Sequence, residues 1–162
     1  MISIFIRVIV LAAVLVFVQT AFGQGTAVAG YWKNGSVGAI QYKDRATGST
    51  KPGRGSLFTY KFNANGTYEF IGYMETTMYN CTTTLFNQIT GRYTVTDGRI
   101  DLAPAKDLWK STNSCAASGN RQQTKSPTRQ SYEFRISEDE YGTEQLCLAD
   151  ANGETCYRRE EE

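Results

Sequence analysis

The absence of histidine limits the catalytic chemistry that this chain could perform. The 162-residue sequence contains no histidine, which removes the usual general base and the Ser-His and Cys-His pairs of nucleophilic enzymes. The internal carboxylate cluster Glu138-Asp139-Glu140 is typical of a solvated loop, with a calcium site as the alternative. Glu69 and Glu75 would lie roughly 20 Å apart on one extended strand, too far for a glycosidase pair. We therefore expect a protein that is not an enzyme, with no catalytic residue, metal or cofactor.

Aromatic side chains are the other candidates for a site. Beyond residue 23 the chain has ten tyrosines, five phenylalanines and two tryptophans. An aromatic sheet face that lines a barrel forms either a filled core or a ligand pocket, and an eight-stranded barrel is wide enough for either. If there is a cavity, we expect its wall to include Tyr60, Tyr68, Phe70, Met74 and Tyr132. A ligand would then supply partners for the buried tyrosine hydroxyls.

The four cysteines predict two disulfides. Three connectivities are possible for Cys81, Cys115, Cys147 and Cys156, and we favour Cys81–Cys115 with Cys147–Cys156. A zinc site is not expected, because the chain has neither a CxxC motif nor a histidine. The second pair depends on the turn in residues 150–153. A three-residue loop there would point the two cysteines to opposite faces, whereas a two-residue loop would place them opposite each other.

The stretch from Phe58 to Met78 must position the aromatic face. Period-two alternation places large apolar residues on one side of two strands joined at Asn63-Ala64-Asn65-Gly66. A three-residue loop with Gly66 in the left-handed conformation fits this turn. It pairs Phe62 with Tyr68, Tyr60 with Phe70, and Phe58 with Gly72. A slip by one residue would bury Glu69 and Lys61, so the register is well specified.

The rest of the chain shows the same short alternating segments. Asp97-Gly98 predicts a two-residue turn, Gly91 a bulge, and Pro104 the end of a strand. Segments 44–55 and 114–130 are polar and basic, and they predict loops. No segment has the pattern of a usable amphipathic helix. We expect an all-β fold, an antiparallel up-and-down meander closed into a barrel of about 8–10 strands.

The N-terminus predicts export. An apolar run follows Arg7, too short to span a membrane, and Ala21-Phe22-Gly23 is a small-x-small cleavage signal. Residues 1–23 are therefore interpreted as a signal peptide and residues 24–162 as one domain without a membrane span, secreted or periplasmic after cleavage near Gly23. The mature chain has 16 basic and 16 acidic side chains, which argues against a nucleic-acid partner. Its first part is basic and its last part acidic, which would suit pairing of the first and last strands; a solvated acidic tail is the alternative.

Two motifs carry a family resemblance. Gly30-Tyr31-Trp32 resembles the G-x-W signature of lipocalins and the wider calycin group. In that family the tryptophan closes the barrel floor and an arginine from the end of the last strand packs over it. Arg158 and Arg159 stand at the matching place, and we take Trp32 and Arg158 as the pair. The whole mature chain also looks like bacterial exported lipocalin-like domains of unassigned function, in its F-N-A-N-G-T-Y hairpin and its G-R-Y-x-V-x-D-G-x-I-x-L run.

The resemblance implies a lipocalin-like barrel that binds a small, largely apolar ligand. The alternative is a protein-interaction or inhibitor module, with a filled barrel and functional loops at 44–55 and 114–130.

Overall fold

The computed structural model describes residues 27–37, 42–43, 50–51 and 55–161. The expected signal peptide, and most of segment 44–55, lie outside the described residues. The described residues form eleven strands and a short 3-10 turn at Ala117–Gly119. The strands are β1 (Gly30–Val37), β2 (Tyr42–Lys43), β3 (Thr50–Lys51), β4 (Gly55–Phe62), β5 (Thr67–Met78), β6 (Cys81–Thr96), β7 (Arg99–Asn113), β8 (Arg121–Lys125), β9 (Gln130–Glu138), β10 (Glu144–Asp150) and β11 (Gly153–Glu160).

Nine of the strands form one antiparallel sheet, in the order β6-β5-β4-β1-β11-β10-β9-β7-β8. Because β6 also pairs with β7, eight strands close a hydrogen-bonded ring and β8 lies outside it. The fold is therefore all-β, and most ring neighbours are also neighbours in the chain. Strands β1 and β11 close the ring, with an ion pair of 3.5 Å between Lys33 and Glu160. Among the described residues, no helix is long and apolar enough to cross a membrane.

The central hairpin has the predicted register. Phe62 is opposite Tyr68, Tyr60 opposite Phe70, and Phe58 opposite Gly72. Gly66 has a φ of 79°, a left-handed conformation that glycine adopts without a steric penalty. Burying one aromatic face thus selects this pairing over a slipped one.

The hairpin of β6 and β7 is partly as predicted. Its turn pairs Val95 with Ile100, as expected. The prediction that Pro104 ends a strand is wrong, because β7 continues to Asn113. The register instead shifts between Thr90 and Gly91, where β7 carries one extra residue. Such a bulge leaves a residue outside the ladder, so a proline, which lacks the N–H donor, is tolerated beside it.

Segment 114–130 is not simply a loop, and that expectation is corrected. It contains the 3-10 turn and β8, which pairs with the second half of β7. The first half of β7 pairs with β9 instead, from Arg99 to Leu102. The polar composition of the segment suggested a loop, but all five residues of β8 are exposed. A strand that pairs at a sheet edge and has no buried side chain needs no apolar alternation.

Both favoured disulfides are confirmed, Cys81–Cys115 and Cys147–Cys156. Asp150 is opposite Gly153, so the last turn is the two-residue form, and Cys147 lies directly opposite Cys156. The second bond is thus a cross-strand link. Two disulfides fit an oxidising, exported compartment.

One end of the ring is filled by side chains. Trp32, Ile100 and Leu146 are fully buried there. The indole N–H of Trp32 donates a 2.8 Å hydrogen bond to the backbone oxygen of Val28, so its polar atom has a partner. The packed residues at this end are Val28, Trp32, Phe62, Tyr93, Ile100, Leu102 and Leu146.

The arginine over Trp32 is Arg159, which corrects the predicted pair with Arg158. The guanidinium carbon of Arg159 lies 4.4 Å from the centre of the tryptophan rings, and Trp32 is opposite Arg159 in the register of β1 and β11. Arg158 faces the other side of the sheet, where it forms a 2.9 Å ion pair with Asp139. Side chains two residues apart in a strand point to the same face of the sheet. Arg159 therefore shares the inner face with the buried Tyr157, and Arg158 points to the outer face.

Candidate functional site

The other end of the ring holds a cavity of about 540 Å³. Strands β4, β5 and β6 contribute aromatic and aliphatic side chains to it, and β1, β9 and β11 contribute mostly polar or tyrosine side chains. The lining residues are Asn34, Phe58, Tyr60, Tyr68, Phe70, Asn87, Ile89, Gln130, Tyr132, Thr155 and Tyr157. The same inward face that packs around Trp32 therefore opens, further along the strands, into a space with a mixed aromatic and polar wall.

Tyr60 is the centre of the aromatic wall. Its ring lies 4.8 Å from that of Phe70 and 5.2 Å from that of Tyr157, centre to centre, the latter edge-on. Edge and offset contacts of this kind are favourable arrangements of aromatic rings. The hydroxyl of Tyr60 shares a hydrogen bond with that of Tyr132, on the opposite part of the ring. The ring packing and this bond orient the two hydroxyls inside the cavity.

Burial raises the pKa of the cavity tyrosines. Loss of water around the phenol, followed by repulsion from neighbouring tyrosines, holds the pKa of Tyr60 well above its ordinary value. Burial, with smaller contributions from Tyr132 and Asp107, raises the pKa of Tyr68 to about 12. Burial and then Tyr132 raise the pKa of Tyr157 to about 12. The wall is thus neutral at physiological pH and presents phenol groups that can donate or accept hydrogen bonds.

These pKa shifts predict an alkaline loss of stability. The folded protein holds the phenol protons more tightly than the unfolded chain, whose tyrosines titrate near pH 10. The stabilisation is therefore fully present below about pH 10 and is lost as the pH rises toward about 12. Urea unfolding at a series of pH values measures this fall. Tyr68→Phe should make it shallower, whereas Tyr79→Phe, at a side chain that is 94% exposed, should leave it unchanged. An equal slope in the two variants would contradict the assignment.

Local contacts orient two of the polar residues of the wall. Asn34 donates from its amide to the backbone oxygen of Cys156 at 2.8 Å. Asn87 donates to Asp107 at 2.6 Å and to the backbone oxygen of Leu108 at 3.1 Å. Asn87 therefore uses its amide N–H groups within the protein and keeps its carbonyl oxygen as an acceptor, whereas one hydrogen bond of its amide fixes Asn34.

The structure brings together four of the five residues predicted for the wall. Tyr60, Tyr68, Phe70 and Tyr132 line the cavity. Met74 does not, and its side chain is 45% exposed. Met74 alternates with the residues of β5 that face inward. It pairs with Ser56, the second residue of β4, and so lies at the end of the hairpin that is far from the turn. Alternation predicts which face of the sheet a residue occupies but not how far along the ring axis it lies. The prediction that Met74 belongs to the cavity wall is therefore corrected.

Sequence reasoning missed several other wall residues. Tyr157 was detectable, because it alternates with Arg159 on a strand predicted beside Trp32. Asn34, Asn87, Gln130 and Thr155 carried no signal, since a polar residue on the inner face is not distinguished by type from one facing solvent. Only the assembled ring identifies them as wall residues.

A smaller cavity of about 260 Å³ adjoins the main one. The two share Tyr60, Tyr132, Thr155 and Tyr157 as lining residues. The smaller cavity continues toward the turn between β10 and β11, where Asp150 and Glu154 line it. The hydroxyl pair of Tyr60 and Tyr132 thus belongs to the walls of both cavities.

Asp139, outside the main cavity, is engaged with the protein. Asp139 accepts hydrogen bonds from the backbone N–H groups of Tyr141 and Thr143, both at 2.9 Å, and pairs with Arg158. These backbone bonds, with a smaller contribution from Arg158, lower the pKa of Asp139. Cys147, Glu154 and Cys156 lie close enough together for a metal site, but both cysteines are in the disulfide and lack the thiolate that binds a metal.

The chain matches no known protein-family model, no curated protein and no solved structure. The described residues form an all-β ring of eight strands, packed at one end and with an aromatic cavity toward the other.

Proposed function

We propose that this chain is an exported lipocalin-like barrel that binds a small, largely apolar ligand in the cavity of the ring, without enzymatic activity. The observation that carries the proposal is the cavity of about 540 Å³, which lies within the ordinary size range of small-molecule sites. Export rests on the predicted signal peptide with cleavage near Gly23, together with the two disulfides.

The stagger of the strands supports the barrel. Following paired residues around the ring leads from Glu138 of β9 through Trp32, Tyr60 and Ile89 to Asp107 of β7. Because β7 pairs with β9 only up to Leu102, the last step extends that register, and it returns to the line of β9 about twelve residues from Glu138. With eight strands and standard strand spacings, this stagger corresponds to a tilt of about 45°. A larger tilt widens a barrel, so the stagger provides room for a ligand.

The packed end supports the likeness to lipocalins. Trp32 lies at the floor of the ring and Arg159 covers it, while Glu144 pairs with Arg159 at 2.5 Å. This is the arrangement that the G-x-W signature implies, with Arg159 rather than Arg158 as the covering residue. A closed floor and an open opposite end form a cup.

The chemistry of the wall favours binding over catalysis. The described residues that line the main cavity carry no charge, and their aromatic rings offer apolar contact while the phenols and amides offer hydrogen bonds. The raised pKa values keep the tyrosines protonated at neutral pH, so they are poor bases. We infer a ligand with an apolar body and few polar groups.

A pair of matched variants tests the proposal. Ile89 lines the cavity, and Thr90, the next residue of β6, faces the other side of the sheet, opposite Glu69. We expect N-phenyl-1-naphthylamine, a fluorescent probe of low polarity, to bind the mature chain at micromolar concentration. Ile89→Trp should weaken this binding about tenfold or more by filling the cavity, and Thr90→Trp should leave it unchanged.

Absence of probe binding to the unaltered protein, or equal binding by both variants, would refute the cavity as the site. Circular dichroism and unfolding curves of each variant control for loss of the fold.

One observation favours the alternative, a protein-interaction module. Strand β8 lies in segment 114–130, ends the sheet, and exposes all five residues. An exposed edge strand can pair with an extended segment of another protein. On this hypothesis Ile89→Trp keeps partner binding and Gln122→Pro, in β8, removes it, so the two proposals give opposite results.

A further inference from the structure

The charged residues described in the linings of the two adjoining cavities are acidic. Among the described residues, the linings include the carboxylates of Asp150 and Glu154 but no lysine or arginine. Both carboxylates belong to exposed residues that line the smaller cavity, and carboxylates of one sign that line a cleft raise the local concentration of cations. The acidic side of this site is the smaller cavity, at the turn between β10 and β11.

The two carboxylates differ in their partners. Glu154 is neutralised by Arg135, whose guanidinium makes two hydrogen bonds to it at 2.8 and 2.9 Å. Asp150 forms no ion pair within the part of the chain that the structure describes. It accepts a 2.7 Å hydrogen bond from the backbone N–H of Asn152, which holds it in the turn. Within the described residues, Asp150 therefore has hydrogen bonds from Asn152 but no ion-pair partner, and it contributes a negative charge to the smaller cavity.

Asp150 acts on the shared wall of the two cavities. It adds to the effect of burial in raising the pKa of Tyr132, so its charge reaches the phenol that both cavities share. The rings of Tyr60, Tyr132 and Tyr157 lie between Asp150 and the larger cavity as lining residues of both spaces. The negative faces of aromatic rings attract cations.

We propose that the ligand carries one protonated amine, with its ammonium group at Asp150 in the smaller cavity and its apolar body in the larger one. This inference rests on the proposed function, because it names the chemical class of ligand for the same cavity. An ammonium group can donate hydrogen bonds to the carboxylate and is attracted to the faces of the tyrosine rings. A carboxylic acid would face Asp150 with a like charge and is disfavoured.

Asp107 does not carry the inference. It contributes to the raised pKa of Tyr68 and accepts a hydrogen bond from Asn87, but Lys125 is its cross-strand partner on β8. The ammonium of Lys125 lies 5.1 Å from the ring centre of Trp109, on the strand that carries Asp107. A lysine is thus already positioned on that side of the site, whereas Asp150 has no ion-pair partner among the described residues.

Three ligands of equal chain length test the proposal on the mature protein with both disulfides. Decylamine, decanol and decanoate are each used to displace bound N-phenyl-1-naphthylamine at pH 7.5 and low salt. We expect decylamine to bind about tenfold or more tightly than decanol, and decanoate to bind more weakly than either. Raising the salt concentration should reduce the preference for the amine, since screening weakens an interaction at the rim of the cavity.

A variant locates the charge. Asp150→Asn keeps the size of the side chain and an acceptor oxygen for Asn152, and it should bring the affinity for decylamine down to that for decanol. Asp101→Asn, at an exposed position of β7 outside both cavities, should keep the preference.

The outcomes separate this inference from the proposed function. Equal affinities for the amine and the alcohol, tighter binding of decanoate, or an undiminished amine preference in Asp150→Asn would overturn the inference while the cavity stands as a ligand site. No displacement by any of the three compounds, together with no binding of the probe, would refute the ligand-binding function itself.

Discussion

Replacing Trp32 with alanine is expected to lower the free energy of unfolding by about 3–5 kcal/mol, the range for removing a large aromatic from a packed core. The side chain is fully buried, its indole N–H is bonded to Val28, and Arg159 lies over its rings. Alanine would leave a cavity between the guanidinium and the core and would remove the donor for a buried carbonyl. Since domains of this size are stable by about 5–15 kcal/mol, this is a large fraction of the total.

Denaturant unfolding of the mature protein measures the effect, and the second tryptophan supplies the control. Trp109 lies on β7, only partly buried, with Lys125 above its ring. Trp109→Ala should cost about 1 kcal/mol, the size of a partly exposed cation–π contact. A loss below about 1 kcal/mol for Trp32→Ala would show that the floor of the ring does not depend on this residue.

The second large effect is expected for the disulfide Cys81–Cys115. It joins residues 34 apart in sequence, and Cys147–Cys156 joins residues 9 apart. In the chain-entropy description, the longer loop stabilises the folded protein by about 4 kcal/mol and the shorter one by about 2.5 kcal/mol, because each restricts the unfolded chain according to its loop length. The longer bond also links the turn between β5 and β6 to the connection that leads into β8.

Double alanine variants of each pair, compared by equilibrium unfolding, measure the two contributions. Replacing both members of a pair avoids a free thiol, and non-reducing mass spectrometry of the unaltered protein should show none. Reduced protein should resemble the variant that lacks both bonds. A cost below about 1 kcal/mol for losing Cys81–Cys115 would indicate that the β6–β7 end is held by its strand pairing alone.

The prediction of the central hairpin shows what alternation can determine. Its register followed from placing Tyr60, Phe70 and their neighbours on one buried face, and the structure has that register. The reason is local, since side chains alternate between faces with a period of two and the turn joins strands adjacent in sequence. The same reasoning was correct for the turn at Asp97-Gly98.

The arginine over Trp32 was missed although the information was present. Arg158 and Arg159 are adjacent, so strand parity alone decides which of them faces inward. Tyr157 is an inward candidate by its type, and Arg159 shares its parity. The G-x-W likeness indicated the position of the arginine to within one residue, and the register of β1 with β11 resolved it.

Other features depended on contacts between distant segments. The turn at Ala151-Asn152 was compatible with two loop lengths, and the structure has the one that brings Cys147 opposite Cys156. Strand β8 forms because β7 extends past Pro104 and offers it an edge. Met74 has the parity of a wall residue but lies at the open end of its hairpin.

By itself, the sequence determined the all-β class, the faces and registers of the local hairpins, and the pairing of the cysteines up to one ambiguous turn. These properties follow from side-chain alternation and turn chemistry, which act over a few residues. The tertiary structure decided that the ring closes through β1 and β11, that one end is packed while the described residues leave a cavity toward the other, and that Asp150 stands beside the tyrosine wall. Those properties depend on the stagger of eight strands around a closed ring, and no short stretch of sequence contains that information.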